Sequence, residues 1–155
     1  VPGLAIHFER NDIDVWSGRQ IDLDAYRYAC KAFGFDKLVV INLTGEKITV
    51  GDSAFDWREF KSVEEFLETT TDRVLWFDLP HRIPPGCTPR IIGKQPHPKA
   101  ECWYMFGPAA GWAPAPTKGD DKQWATMPQL GSGALHGTHV ASIVMFDAFR
   151  WRGLQ

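Results

Sequence analysis

Apolar residues gather along this chain in short runs divided by polar stretches, and the spacing within each run separates strands from helices. GLAIHF (3–8), KLVVIN (37–42) and RVLWFD (73–78) are largely apolar segments of the length of a buried strand. Between the first two, Leu23, Tyr26, Cys30 and Phe33 recur at helical spacing, with Asp22 placed to cap that helix and Gly34 placed to end it. Ser62 and Glu65 form an S-x-x-E capping box ahead of a short helix that ends near Thr69. Further on, ECWYMF (101–106) and the stretch 123–127 read as strands. The final run, 139–150, has VASIVMFDAF (140–149) at its centre and is too long for one strand, with apolar residues on nearly every face. A helix of that kind must be covered on several sides, which its own sheet and a second subunit can supply. Alternation of strand and helix predicts an α/β fold with a mainly parallel sheet, in a single domain spanning 1–155.

Composition narrows the class. A chain of 155 residues with 44% hydrophobic and 23% charged positions suits one core. Ten of the eleven prolines lie between Pro80 and Pro128, so rigid, non-helical connections join the elements of the second half. No run approaches the ~20 apolar residues of a membrane span, and no basic segment leads into an apolar stretch at the N-terminus, so a cytoplasmic protein is expected. Cys30, Cys87 and Cys102 form no CxxC pair, which argues against a disulfide framework or a zinc cluster. The formal net charge of −2 excludes a general nucleic-acid coat, so any RNA contact must be local. One stretch suits it: no acidic residue stands between Asp78 and Glu101, while Arg82, Arg90, Lys94 and Lys99 occur there with His81 and His97. The same stretch also reads as an ordinary solvated loop.

Few motifs carry chemistry on their own. FGPAAGW (106–112) follows a strand with glycines that let a backbone approach a ligand, at the carboxyl end where ligands bind in open α/β sheets. Neither a phosphate loop nor GxGxxG occurs. His136 and His139 stand three apart, but no third ligand lies near in sequence, so no metal site is expected. Gly131-Ser132-Gly133 lacks the frame of a hydrolase nucleophile.

Three segments, in order, resemble the SpoU family of ribose methyltransferases, part of the SpoU-TrmD (SPOUT) superfamily. YACKAFGFDKLVVIN (28–42) is similar to the first motif, a helix running into A-F-G and then a strand. YMFGPAAGW (104–112) is similar to the second, and MPQLGSGALHGTHVASIVMFDAF (127–149) to the third, whose helix has the pattern A-I-V-x-Y-E. The resemblance implies an α/β fold with a C-terminal trefoil knot, and S-adenosylmethionine held mainly by the backbone of three loops. By position these carry Asp78 and Leu79; Phe106, Gly107, Pro108 and Gly111; and Thr126, Met127 and Leu135.

The implied activity is methylation of tRNA or rRNA at the ribose 2′-hydroxyl, by a homodimer built on Ile143, Met145 and Phe149 of the last helix and part of the first-motif helix. Arg82, Arg90 and Lys94 are the expected phosphate contacts. The family's first-motif arginine aligns with Tyr28, leaving the adjacent Arg27 as the cation, and the second-motif glutamate aligns with Ala109. In the third motif Ala134 and His136 replace Ser and Asn, with Thr138 where a second serine stands. The catalytic candidates are therefore His136 as proton acceptor, Arg27 or Tyr28 to orient the nucleotide, and Thr138. Two other readings stay open: His136 as a helix-entry residue only, and the chain as a non-catalytic knot-fold protein that binds RNA or cofactor, or an unrelated α/β binding module.

Overall fold

Strands and helices alternate in the order β1 (Gly3–Phe8), α1 (Gly18–Phe33), β2 (Lys37–Asn42), β3 (Asp56–Phe60), α2 (Val63–Leu67), β4 (Arg73–Phe77), β5 (Arg90–Ile91), β6 (Cys102–Phe106), β7 (Trp124–Thr126) and α3 (Gly137–Gly153). The computed structural model describes residues 3–8, 18–43, 45, 47–48, 54–98, 101–107, 124–127 and 137–153. Among the described residues the strands form one sheet in the order β3-β2-β1-β6-β4-β7-β5, and every neighbouring pair is parallel. The expected α/β class with a parallel sheet is thus the observed one. The expected trefoil knot falls on a part of the chain that includes residues 108–123 and 128–136, which lie outside the described residues.

Side chains of a strand alternate between the two faces, and here both faces are covered. Leu38, Val40, Leu75, Phe77, Tyr104 and Phe106 point to the face carrying α1 and α3, where Leu23, Cys30, Val144, Met145 and Ala148 meet them. Val39, Ile41, Val74, Trp76, Met105 and Trp124 point to the other face, around Phe66 of α2. Burial on both sides is why β2, β4 and β6 appear in the sequence as continuous apolar runs.

Local signals set several boundaries. Gly34 has φ +76, and the N–H of the buried Phe35 donates to the Cys30 carbonyl at 2.9 Å, so a left-handed glycine cap ends α1 and turns the chain into β2. Ser62 Oγ accepts from the Glu65 N–H at 3.1 Å, while the Glu65 carboxylate reaches the Lys61 N–H rather than that of Ser62. Asp22 is not a cap, because α1 begins at Gly18 and places it inside the helix. β3 and β5 lie outside every strand expected from the sequence. β3 is an edge strand whose Asp56, Arg58 and Glu59 are exposed, and β5 has two residues, so neither needs an apolar run.

α3 is buried on the side facing the sheet and α1, with Ala141, Val144, Met145 and Ala148 fully enclosed. His139, Ile143, Phe146 and Arg150, at helical spacing, form its exposed stripe. Met145 therefore cannot serve the interface expected of it: it packs inside its own chain, with the Cys30 sulfur 4.0 Å from its own. Phe146, 47% exposed, takes the outward position, and Phe149 is half-buried behind Phe33.

Candidate functional site

The candidate loops leave the sheet side by side. Phe77, the last residue of β4, is level with Phe106, the last of β6, and with Ala125 of β7. The chain exits at Asp78, Gly107 and Met127 are therefore neighbours at the carboxyl edge of the sheet. This is where the strand order reverses: β6 and β7, late in the chain, insert on either side of β4. The Asp78 N–H donates to the Ala125 carbonyl at 3.3 Å, and the Thr126 hydroxyl donates to the Asp78 carbonyl at 2.8 Å. Asp78 turns its own carboxylate back to the Leu79 N–H at 2.8 Å, with Arg82 at 4.0 Å. Its side chain thus shapes the exit. Phe77 and Phe106 stack beneath, with ring centroids 4.5 Å apart, and Leu79 and Met127 stand half-buried. Pro108, Gly111 and Leu135 lie outside the described residues.

The three candidate phosphate contacts differ in setting. Arg82 ends a 3-10 turn, Pro80–Arg82, directly after the first exit. Lys94 is exposed, in the connection that follows β5. Arg90 is half-buried and its guanidinium donates to the Pro96 carbonyl at 2.6 Å, which braces the same connection.

On α1, Arg27 is 8% exposed, 3.4 Å from Asp24, and stacks 4.4 Å from the centre of the Tyr28 ring, while Tyr28 itself is 61% exposed. Arg27 and Tyr28 thus lie on the helix that packs beside α3, not at the strand exits. Thr138 is in the first turn of α3, and His136 lies just before it, outside the described residues. A separate cavity opens at the start of β4, lined by Leu67, Thr70, Asp72, Arg73 and Trp76, at the opposite end of that strand from the exits.

No family model matches the chain, and no curated protein matches it in sequence. Solved structures do. A protein of Bacillus anthracis assigned as an RNA methyltransferase superposes with a TM-score of 0.68 at 13% identity, over 100% of this chain and 98% of that one. A structure bearing on 2-OH methylation of C/U34 on tRNA gives 0.63 at 15% identity, over 97% and 95%. The SpoU methyltransferase AviRb of Streptomyces viridochromogenes, solved with AdoMet, gives 0.67 at 13% identity, with this chain covering 60% of its length. The chain has the fold of the SpoU-type RNA methyltransferases.

Within this SpoU-type fold, the strongest polar cluster is one that sequence reasoning missed. His97, 6% exposed, places Nε2 2.7 Å from an oxygen of Asp147 on α3 and Nδ1 2.7 Å from the Tyr104 hydroxyl on β6. Asp147 also accepts from the Gly93 N–H at 3.2 Å and from Arg150 at 2.9 Å. Burial lowers the His97 pKa despite the neighbouring carboxylate, so the ring is neutral, with Nε2–H donating to Asp147 and Nδ1 accepting from Tyr104. Burial works to raise the Asp147 pKa, but the bonds from His97 and Arg150 outweigh it and hold the carboxylate below its ordinary value. A signal was present in the sequence. Asp147 is the one acid in the apolar helix, at the position of the third motif's glutamate.

Proposed function

We propose that the chain is an S-adenosylmethionine-dependent RNA methyltransferase acting on tRNA or rRNA as a cytoplasmic homodimer, with a ribose 2′-hydroxyl as acceptor. The observation that carries this reading is the meeting of the β4, β6 and β7 exits at one level of a SpoU-type sheet. The residues there fit the cofactor: half-buried Leu79 and Met127 offer an apolar bed for an adenine ring, and Gly107 lets the backbone come close. Asp78, Leu79, Phe106, Gly107, Thr126 and Met127 would hold it, and when bound its sulfonium supplies the methyl group.

The rest falls to this chain's residues. Methyl transfer requires the nucleophile aligned and its proton accepted, and little covalent help. In this reading His136 accepts the proton, Thr138 steadies it, and Arg82 holds a phosphate. Tyr28, exposed on α1, orients the nucleotide at the partner's site together with Arg27. The stripe of Ile143 and Phe146 beside Tyr28's helix supports pairing of two copies, since exposed apolar side chains on a helix are covered most simply by symmetry. Among the described residues no helix is long and apolar enough to cross a membrane.

One observation favours the alternative, a non-catalytic protein that keeps RNA or cofactor binding: Arg27, the cation nearest the family's arginine position, is tied to Asp24 and Tyr28. Calorimetric titration with adenosylmethionine, followed by transfer of tritiated methyl to total cellular RNA, separates the readings. Binding with transfer supports the enzyme, and binding without transfer supports the alternative. Folded protein that takes up no cofactor sinks the enzyme reading.

A further inference from the structure

The His97 cluster gathers more positive charge than it neutralises. Arg90, Lys94, Arg150 and Arg152 surround it. Asp147 is the one carboxylate with which any of the four forms an ion pair among the described residues. His97 itself is neutral, and Arg90 and Arg152 both act electrostatically on His97, Cys102 and Tyr104. Arg90 Nε is buried with no hydrogen-bond partner among the described residues, as if a further acceptor were wanted nearby.

These cations are held in place. Arg150 donates to Asp147 at 2.9 Å yet keeps its side chain 52% exposed. Arg152 reaches the Tyr104 hydroxyl at 3.5 Å and lies 5.4 Å from the centre of the Phe35 ring. A guanidinium has five N–H donors, so each arginine retains donors directed elsewhere. Gly93, at φ +88, makes the tight turn whose Lys94 N–H returns to the Ile91 carbonyl at 3.2 Å. The same glycine's N–H is anchored on Asp147, so Lys94 projects from a turn fixed to α3. Between the two arginines stands Trp151, 46% exposed, with no aromatic or hydrogen-bond partner among the described residues.

The position of this group matters as much as its charge. β5 lies level with the carboxyl end of β7, whereas Arg152 lies against the ring of Phe35, just before the start of β2, which is level with the start of β6. The four-residue climb from Cys102 to Phe106 is about 13 Å at the rise of a parallel strand. The cations thus run from the cofactor exits down the flank of the sheet to its amino edge.

We infer that Lys94, Trp151 and Arg152 form a second RNA-contact surface, along which substrate extends away from the methylation site. That the polyanion is RNA rests on the proposed function; the surface itself rests on the charge, the pinned Arg152 and the exposed indole. Phosphates meet Lys94 and Arg152, and Trp151 stacks on an unpaired base. Pinning in advance lowers the entropy lost when the side chains bind.

The test is fluorescence anisotropy with labelled bulk tRNA and a labelled single-stranded RNA, across a salt series, with cofactor calorimetry on the same samples. Trp151→Ala should weaken RNA binding roughly tenfold, as expected for loss of one base stack, with Trp151→Phe recovering part of it. Lys94→Ala should flatten the salt slope by about 0.7 to 0.9, one phosphate contact. Both side chains are exposed, so neither substitution threatens folding. RNA affinity and salt slope unchanged in both variants overturns the surface, even where cofactor binding and methyl transfer uphold the enzyme reading. A wild type that binds neither RNA, or that binds an acidic protein or heparin as well with no dependence on Trp151, overturns it also. RNA binding that depends on Trp151 in a protein with no cofactor affinity upholds the surface and sinks the enzyme reading.

Discussion

His97 and Asp147, fifty residues apart in the chain, meet with 2.7 Å between Nε2 and Oδ2. The contact fastens the connection between β5 and β6 to the last helix, and the Tyr104 hydroxyl completes it from the strand beneath. A connection, the strand it leads into and a helix fifty residues on are thereby held in one geometry. Because the ring is buried neutral beside an ionised carboxylate, this lock depends on pH.

Both pKa values lie below their ordinary values of 6.5 for His97 and 3.8 for Asp147, so the unfolded chain binds more protons than the folded one as pH falls through each window. Stability from His97 is complete above pH 6.5 and is lost as pH falls through its lower folded value; that from Asp147 is lost further down, below 3.8. Melting temperature against pH should therefore decline in two stages. His97→Gln should remove the upper stage and shrink the lower, since the His97 bond is the first of those that hold the Asp147 carboxylate down. An unaltered profile in that variant would count against the lock.

Substitution on α3 should separate core from interface. Met145→Ala, at a site with no exposure, should cost about 2–5 kcal/mol in urea unfolding without changing subunit number. Phe146→Glu, on the exposed stripe, should leave the monomer folded and halve the mass seen by light scattering. Wild type that runs as one chain at micromolar concentration removes the dimer from the proposal.

Thr126→Val deletes the hydroxyl that ties β7 to the Asp78 carbonyl. Loss of a hydrogen bond of this kind costs about 1 kcal/mol. Because the bond sets the spacing of two candidate cofactor exits, adenosylmethionine should bind several-fold more weakly by calorimetry. Cofactor affinity equal to wild type would mean that these exits do not form the site.

His136→Ala should leave cofactor and RNA affinity near wild type and lower single-turnover methyl transfer by roughly 10²–10⁴-fold, the effect of losing a general base. Transfer at the wild-type rate would reduce His136 to a helix-entry residue.

The sequence alone determined those elements whose environment is nearly uniform. β1 and β2 match the expected segments residue for residue, and β4 and β6 to within one residue; for β2, β4 and β6 the reason is that a parallel strand buried on both faces must be apolar throughout. Gly34 marked the end of α1, because only a residue tolerant of positive φ can close a helix in that way. Tertiary structure decided the rest. Which of Met145 and Phe146 faces outward depends on where α1 and the sheet cover an apolar helix, and that is not written in the helix itself. β3 and β5 exist because neighbouring strands offer them backbone partners, with no apolar run required. His97 and Asp147 meet only after the sheet has set its register and α3 has docked, since a contact across fifty residues is fixed by the path of the whole chain and leaves no local pattern.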